Sequence, residues 1–316
     1  MKLGKGKSWM RRGTALRRLR ATPAGLFWIF APAGPVAAAE RHAIFVDLGF
    51  LALVVVPALI LVIAFAWYFR RRRRNSAGYD PQFSHSMKIE VIVWGIPLLI
   101  VATLGVFSWF TTHGVNPYDP RVLADVPAAN VRPPLQVDVI ATDWQWLFVY
   151  PQQHVAVANE LVLPRDRRVD FRLTSTAVMN SFFIPQVVGQ IYAMPGMRTR
   201  QATLVSRDGR YHGFSAEFSG AGFSWMHYPV QVVSTADFHA WLQRAQAAPQ
   251  ELDWAAFTRF AAPTVHLRGA PELFSKVQPG LFDAVVRHVR AGTLRYTTPI
   301  YFTENMQDPR FLAHVN

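Results

Sequence analysis

Two stretches without a charged residue, the 22 residues from Leu48 to Phe69 and the 20 from Val91 to Phe110, constrain this chain most. As helices they would reach roughly 33 Å and roughly 30 Å, enough to cross the hydrocarbon of a bilayer. Pro57 interrupts the first, which spanning helices tolerate. Trp67, Tyr68 and Phe69 close it as an aromatic belt, and the run Arg70 to Arg74 follows at once. Lys and Arg beside a span mark its cytoplasmic side, so this end is expected inside. The second stretch, with Trp94 and Trp109 near its ends, returns the chain outward. Everything after His113 is then expected in the periplasm or its equivalent.

The charge balance supports a membrane and argues against a nucleic acid. The net charge is +13. Eight basic residues in the first twenty and five in Arg70 to Arg74 account for all of it, leaving twenty basic against twenty acidic residues elsewhere. A nucleic-acid-binding face needs basic residues spread over a folded surface, not confined to the flanks of apolar segments. Membrane lipid is the expected partner. Cysteine is absent, which excludes disulfides, thiolate metal sites, iron–sulfur clusters and a lipoprotein cysteine.

A third apolar stretch, Ala21 to Ala39, follows the basic head and ends in Ala37-Ala38-Ala39. Basic head, short apolar heart and small closing residues describe a secretory signal peptide, and Pro32 and Pro35 make a poor spanning helix. Residues 1–39 are expected to be removed by cleavage after Ala39, leaving 40–114 as a two-helix hairpin. An uncleaved anchor or a mis-assigned start codon would give the same pattern.

Pro, Asp and Asn dominate 115–134, as in a linker. Leu135, Val137 and Val139 then alternate with polar residues, the period of a half-buried strand. Similar runs recur at Leu161 to Leu163, Val169 to Leu173, Thr199 to Leu204 and Pro229 to Val233, separated by turn residues. This pattern predicts an antiparallel sandwich or barrel over 135–236. From 237 to 292 the period becomes helical. Asp237 can cap a helix carrying Phe238, Trp241, Leu242 and Ala245; Asp253 opens another with Trp254, Phe257 and Phe260. Gln278-Pro279 starts a third with Phe282, Val285, Val286 and Val289, ending at Gly292. Residues 293–316 form a tail without pattern.

Several local motifs resemble subunit II of the haem-copper oxidases. Phe83-Ser84-His85-Ser86, Glu90 and Trp94-Gly95-Ile96-Pro97 are similar to the start of that family's second spanning helix. Asp143-Trp144-Gln145-Trp146 resembles its aromatic strand. Val178 to Pro185 (VMNSFFIP) and Gln190 to Met197 (QIYAMPGM) resemble its two loop motifs, and the helical extension resembles the aromatic-rich region of quinol oxidases. The resemblance implies a membrane hairpin carrying an all-β cupredoxin-like domain with a small C-terminal helical extension.

In the cytochrome c oxidase branch two coppers are held by a His, a Cys-x-x-x-Cys pair, a second His, a Met and a Glu carbonyl. By resemblance, Asn180 stands at the first His position, Ser215 and Ser219 at the cysteines, and Phe223 at the second His. Glu217 and Met226 alone are retained. Soft bridging thiolates are what hold a mixed-valence copper pair, and neutral hydroxyls do not replace them. The same losses resemble the cytochrome bo-type ubiquinol oxidases, in which quinol delivers electrons directly to subunit I.

The resemblance implies a non-catalytic subunit of a proton-translocating ubiquinol oxidase in the bacterial inner membrane. Haems, copper and the quinol site are then expected in subunit I. Subunits I, III and IV would be partners, cytochrome c would not, and this chain would hold no cofactor. Glu90 is implied to stand at the mouth of a proton pathway; equally, an acid in a first helical turn complements the macrodipole at about 0.3–1 kcal/mol. Trp144 and Trp146 read as core or subunit-contact aromatics. Met226 with His227 or His212 has the atoms for a single copper, but adjacent Met and His in a strand point to opposite faces. Two rivals remain: a cytochrome c oxidase subunit with unusual copper ligands, and a free-standing anchored cupredoxin-like binding module.

Overall fold

The computed structural model describes residues 28–70, 82, 84–119, 123–263 and 271–294. Most of the expected signal segment, Arg71 to Arg74, Phe83 and most of the tail lie outside the described residues. The chain divides into two units, residues 38–122 and residues 1–37 with 123–316.

The first unit is carried by α1 (Pro35–Tyr68) and α2 (Met87–Gly114), both long and apolar enough to cross a membrane. α1 starts well before the apolar stretch beginning at Leu48. The alanines near Ala37 favour helix, and Glu40, Arg41 and Asp47 simply continue it beyond the apolar window. No break therefore falls at Ala39. The guanidinium of Arg70 lies 5.5 Å from the Trp67 ring centroid, a cation–π contact at the end of the span.

In the second unit, a single turn α3 (Pro127–Asn130) interrupts the expected linker and buries Leu123 and Ala129. The strands are β1 (Leu135–Ala141), β2 (Trp146–Tyr150), β3 (Val155–Ala158), β4 (Leu161–Pro164), β5 (Arg168–Ser175), β6 (Asn180–Ile184), β7 (Val188–Ala193), β8 (Thr199–Leu204), β9 (Gly209–Ser215) and β10 (His227–Val233). Then come α4 (Thr235–Gln246), α5 (Trp254–Phe260), β11 (Glu272–Phe274) and α6 (Leu281–Arg290). One sheet runs β11-β3-β2-β1-β5-β8 and the other β4-β10-β9-β6-β7. The predicted runs became β1, β4, β5, β8 and β10; the sandwich is not purely antiparallel, because β1 pairs with β5 and β10 with β4 in parallel. The chain changes sheet between β3 and β4 and again before β5. Period-2 alternation carries no record of such crossings.

Trp146, Phe148, Phe171, Phe182 and Tyr228 fill the space between the sheets, with Trp146 within 6.4 Å of Phe148, Phe182 and Tyr228 by ring centroids. A second core lies on the other face of the first sheet. There Ile140, Leu147 and Val149 meet Leu252, Phe257, Phe282, Val285 and Val286 of the extension. That cover explains why β1 is buried on both faces apart from Gln136, rather than alternating as expected. Asp138, 2% exposed, is held bidentately by Arg172, with Nε to Oδ1 at 2.7 Å and Nη2 to Oδ2 at 2.6 Å. The same guanidinium lies over the Phe282 ring at 4.7 Å.

The helix starts differ slightly from expectation. Ser234, not Asp237, caps α4; Asp237 sits three residues on, its N–H donating to Ser234 Oγ at 3.2 Å and its carboxylate accepting from that hydroxyl at 2.8 Å. Asp253 caps α5 as expected, accepting from the Ala256 N–H at 2.6 Å. α6 begins at Leu281, after Gly280 at φ +73°.

Candidate functional site

β6 and β9 lie side by side, with Phe182 opposite Ser215. That pairing gathers most of the positions the resemblance assigns to copper. Ser215 Oγ lies 3.2 Å from Asn180 Oδ1 and 3.2 Å from the Glu217 carbonyl oxygen, and accepts from the Ser181 N–H at 3.3 Å. Its one proton serves one acceptor at a time. The Ser219 hydroxyl donates to Met226 Sδ at 3.5 Å. The Ser215 N–H donates to the Met226 carbonyl at 3.0 Å, closing the loop between the two serines and the methionine. Asn180, Ser215, Ser219 and Met226 are buried. Phe223 joins through its main chain, its carbonyl accepting from the Met226 N–H at 3.0 Å, while its ring lies edge-on to Phe218 at 5.5 Å.

Trp144 and Trp146 seal this loop from the first sheet. Trp144 Nε1 donates to the Ser219 carbonyl at 2.9 Å, and Trp146 Nε1 to the Met226 carbonyl at 3.3 Å. Both rings are buried, so satisfying each indole N–H is what makes the burial affordable. Gly220 and Gly222 make room for Trp144. A Cβ on Gly222 would lie 2.6 Å from the indole, and one on Gly220 2.8 Å. These glycines carried no sequence signal, because their reason is a ring about 75 residues away.

The donor atoms at these positions are an amide, two hydroxyls, a thioether and a main-chain carbonyl. None is a thiolate or an imidazole. Such a set does not fit a dinuclear copper centre, and the polar atoms are engaged with one another instead. The single-copper combination fails on geometry. Met226 faces the core, whereas His212 and His227 lie on the outer face, with Nε2 and Nδ1 2.9 Å apart. Burial lowers the pKa of both imidazoles, and that of His212 is lowered further by His227.

Glu90 occupies the first turn of α2, and its Oε1 lies 2.7 Å from His85 Nδ1, with both side chains about half exposed. Its N–H donates to the Ser86 carbonyl. The pair is local to the start of α2, with His85 one residue before the N-cap Ser86.

Residues 135–234 match the family described as cytochrome c oxidase subunit II, periplasmic domain, and residues 246–289 match the COX aromatic rich motif. The chain is 41% identical over 255 residues to the cytochrome bo(3) ubiquinol oxidase subunit 2 of Pseudomonas putida, covering 81% of this chain and 78% of that protein. It is 40% identical over 261 residues to the ubiquinol oxidase subunit 2 of Acetobacter aceti, covering 83% and 82%. The chain belongs to the ubiquinol oxidase subunit 2 family. It is also 32% identical to the quinol oxidase subunit 2 of Bacillus subtilis, over 68% of this chain and 65% of that one. As a ubiquinol oxidase subunit 2 it is a membrane-anchored part of a haem-copper oxidase, working in complex with subunit I. Its aromatic-rich motif is the extension that covers β1 and β2, and Arg290 of α6 donates to the Gly196 carbonyl in the second loop motif.

Proposed function

We propose that this ubiquinol oxidase subunit 2 binds no dinuclear copper and takes no part in the chemistry itself. It holds and completes a complex that oxidises ubiquinol, reduces oxygen to water and moves protons. In this reading haems, copper and the quinol site belong to subunit I, subunits III and IV are further partners, and cytochrome c is not a donor. The anchor lies in the bacterial inner membrane with the β domain on the periplasmic side, as the arginine run demands. One observation carries the reading: Asn180, Ser215, Ser219 and Met226 satisfy one another through neutral hydrogen bonds under two tryptophans. Without a metal centre there, electrons from a periplasmic carrier have no acceptor in this chain.

The test is to incubate the detergent-solubilised chain, purified without subunit I, with copper and record visible and electron paramagnetic resonance spectra. No purple, mixed-valence signal is expected; its appearance would overturn the proposal. Restoring the family ligands together (Asn180→His, Ser215→Cys, Ser219→Cys, Phe223→His) should create that signal, since Glu217 and Met226 are already present.

Glu90 is proposed to feed protons toward subunit I. A carboxylate at a spanning helix's cytoplasmic start, hydrogen-bonded to His85 and open to solvent, can take up and release a proton there. Glu90→Gln keeps size and hydrogen bonding but releases no proton at neutral pH. Oxygen consumption per haem should fall in fully assembled complexes and return with Glu90→Asp. An unchanged rate would reduce Glu90 to a helix-dipole residue worth a few tenths of a kcal/mol, about the lower end of such effects.

A further inference from the structure

We infer that Trp28 to Ala37 is a retained part of the mature protein, clipped onto the β domain, so that any processing cut falls before Trp28. The A-x-A signal at Ala37 to Ala39 is then not the cleavage site.

The contacts are those of an added rung of backbone. The Ala33 N–H donates to the Gln186 carbonyl at 2.7 Å, and the Ala33 carbonyl accepts from the Ser206 N–H at 2.9 Å. Ala33 thereby bridges the turn between β6 and β7 and the chain just beyond β8. Gln186 Nε2 donates to the Ala31 carbonyl at 3.1 Å, and Arg207 donates to the Pro32 carbonyl. The Trp28 ring lies 5.3 Å from His212 by centroids. Ala33, Val36 and Ala37 are all buried.

Two features show that the seat is built for this segment. Gln186 is only 4% exposed, and the segment accepts from its amide; a buried amide without a partner is costly. At Gly34 a Cβ would lie 2.0 Å from the Leu204 carbonyl oxygen, so the backbone approach there admits only glycine. Signal cleavage precedes folding, so burial does not protect the bond after Ala39. The argument is instead that a cut there would discard residues whose backbone the folded domain uses, which is how truncation tolerance is judged.

The experiment uses the full-length protein purified from membranes. Intact mass and N-terminal sequencing should place the mature N-terminus at or before Trp28. A chain beginning at Glu40, or anywhere after Trp28, overturns the inference. Hydrogen exchange on the same protein tests the seating: the Ser206 amide should be protected, and Gly34→Ala should speed its exchange by about tenfold or more, as local opening does. If Gly34→Ala does not accumulate, Trp28→Ala should give a smaller increase in the same exchange. An unprotected Ser206 amide in the wild-type protein would show a retained but unseated segment, and sinks the clip.

Discussion

Val62, Ile63, Trp94 and Leu98 of the two long helices are each about two-thirds or more exposed, while Trp146, Tyr150, Phe171 and Phe182 of the β domain are almost fully buried. The same class of side chain serves two solvents. On α1 and α2 the apolar surface faces outward, as lipid requires, and the backbone closes its own hydrogen bonds. In the β domain it faces inward, and buried polar groups such as Asp138 and the Tyr150 hydroxyl find partners on other strands. A substitution's cost should therefore depend on neighbours in the β domain and scarcely at all in the isolated hairpin.

The largest expected effect is at the one carboxylate buried in β1. Arg172→Met would leave Asp138 without its guanidinium and lower stability by about 3–5 kcal/mol. Thermal unfolding of the purified chain reads this. The double change Asp138→Leu with Arg172→Met should recover most of the loss, because the cost lies in the orphaned charge. A loss below about 1 kcal/mol for the single change would mean that water reaches Asp138 as it reaches an exposed ion pair.

Next come paired glycine substitutions. Gly222→Ala pushes a methyl group into the Trp144 ring, whose N–H is tied to Ser219, and should cost about 1–3 kcal/mol. Gly105→Ala on α2 meets nothing within 4 Å and should not destabilise the isolated chain. If Gly105→Ala blocks assembly of the complex while leaving the isolated chain intact, that face of α2 is a contact with subunit I.

The smallest effect is on pH dependence. Burial lowers the pKa of His212 and His227, so in the folded domain both bind protons less readily than in the unfolded chain, which titrates near 6.5. Just below pH 6.5 the unfolded state holds more protons. The histidines' contribution is therefore complete above that pH and declines as pH falls toward the lowered folded values. Replacing His212 with Gln should flatten this acid limb of the unfolding profile. No change in slope would mean the outer face of β9 and β10 is as open to water as the hairpin's first turn.

Much of this could be read before any coordinates. The spans and the absence of thiolates are properties of contiguous segments or of composition, and five strands and three helices followed from period and capping residues. The resemblance pointed to Asn180, Ser215, Ser219 and Met226 as copper-ligand positions, and the structure brings these four together beside β6 and β9. What closes that site was not legible. Gly220 and Gly222 make room for Trp144, and nothing near them in sequence says so.

Two helices long and apolar enough to cross a bilayer, and the lack of any thiolate to bridge copper, follow from the amino-acid sequence alone. The length of an apolar run and the identity of a donor atom are local facts. The parallel pairing of β1 with β5, the grip of Arg172 on Asp138, and the seat of Ala33 between Gln186 and Ser206 emerge only in the folded chain. Those outcomes join residues separated by 34 to 173 positions. Each depends on which distant strands share a sheet, and hydrogen-bond satisfaction in a buried interior is decided there, because no single segment carries both partners.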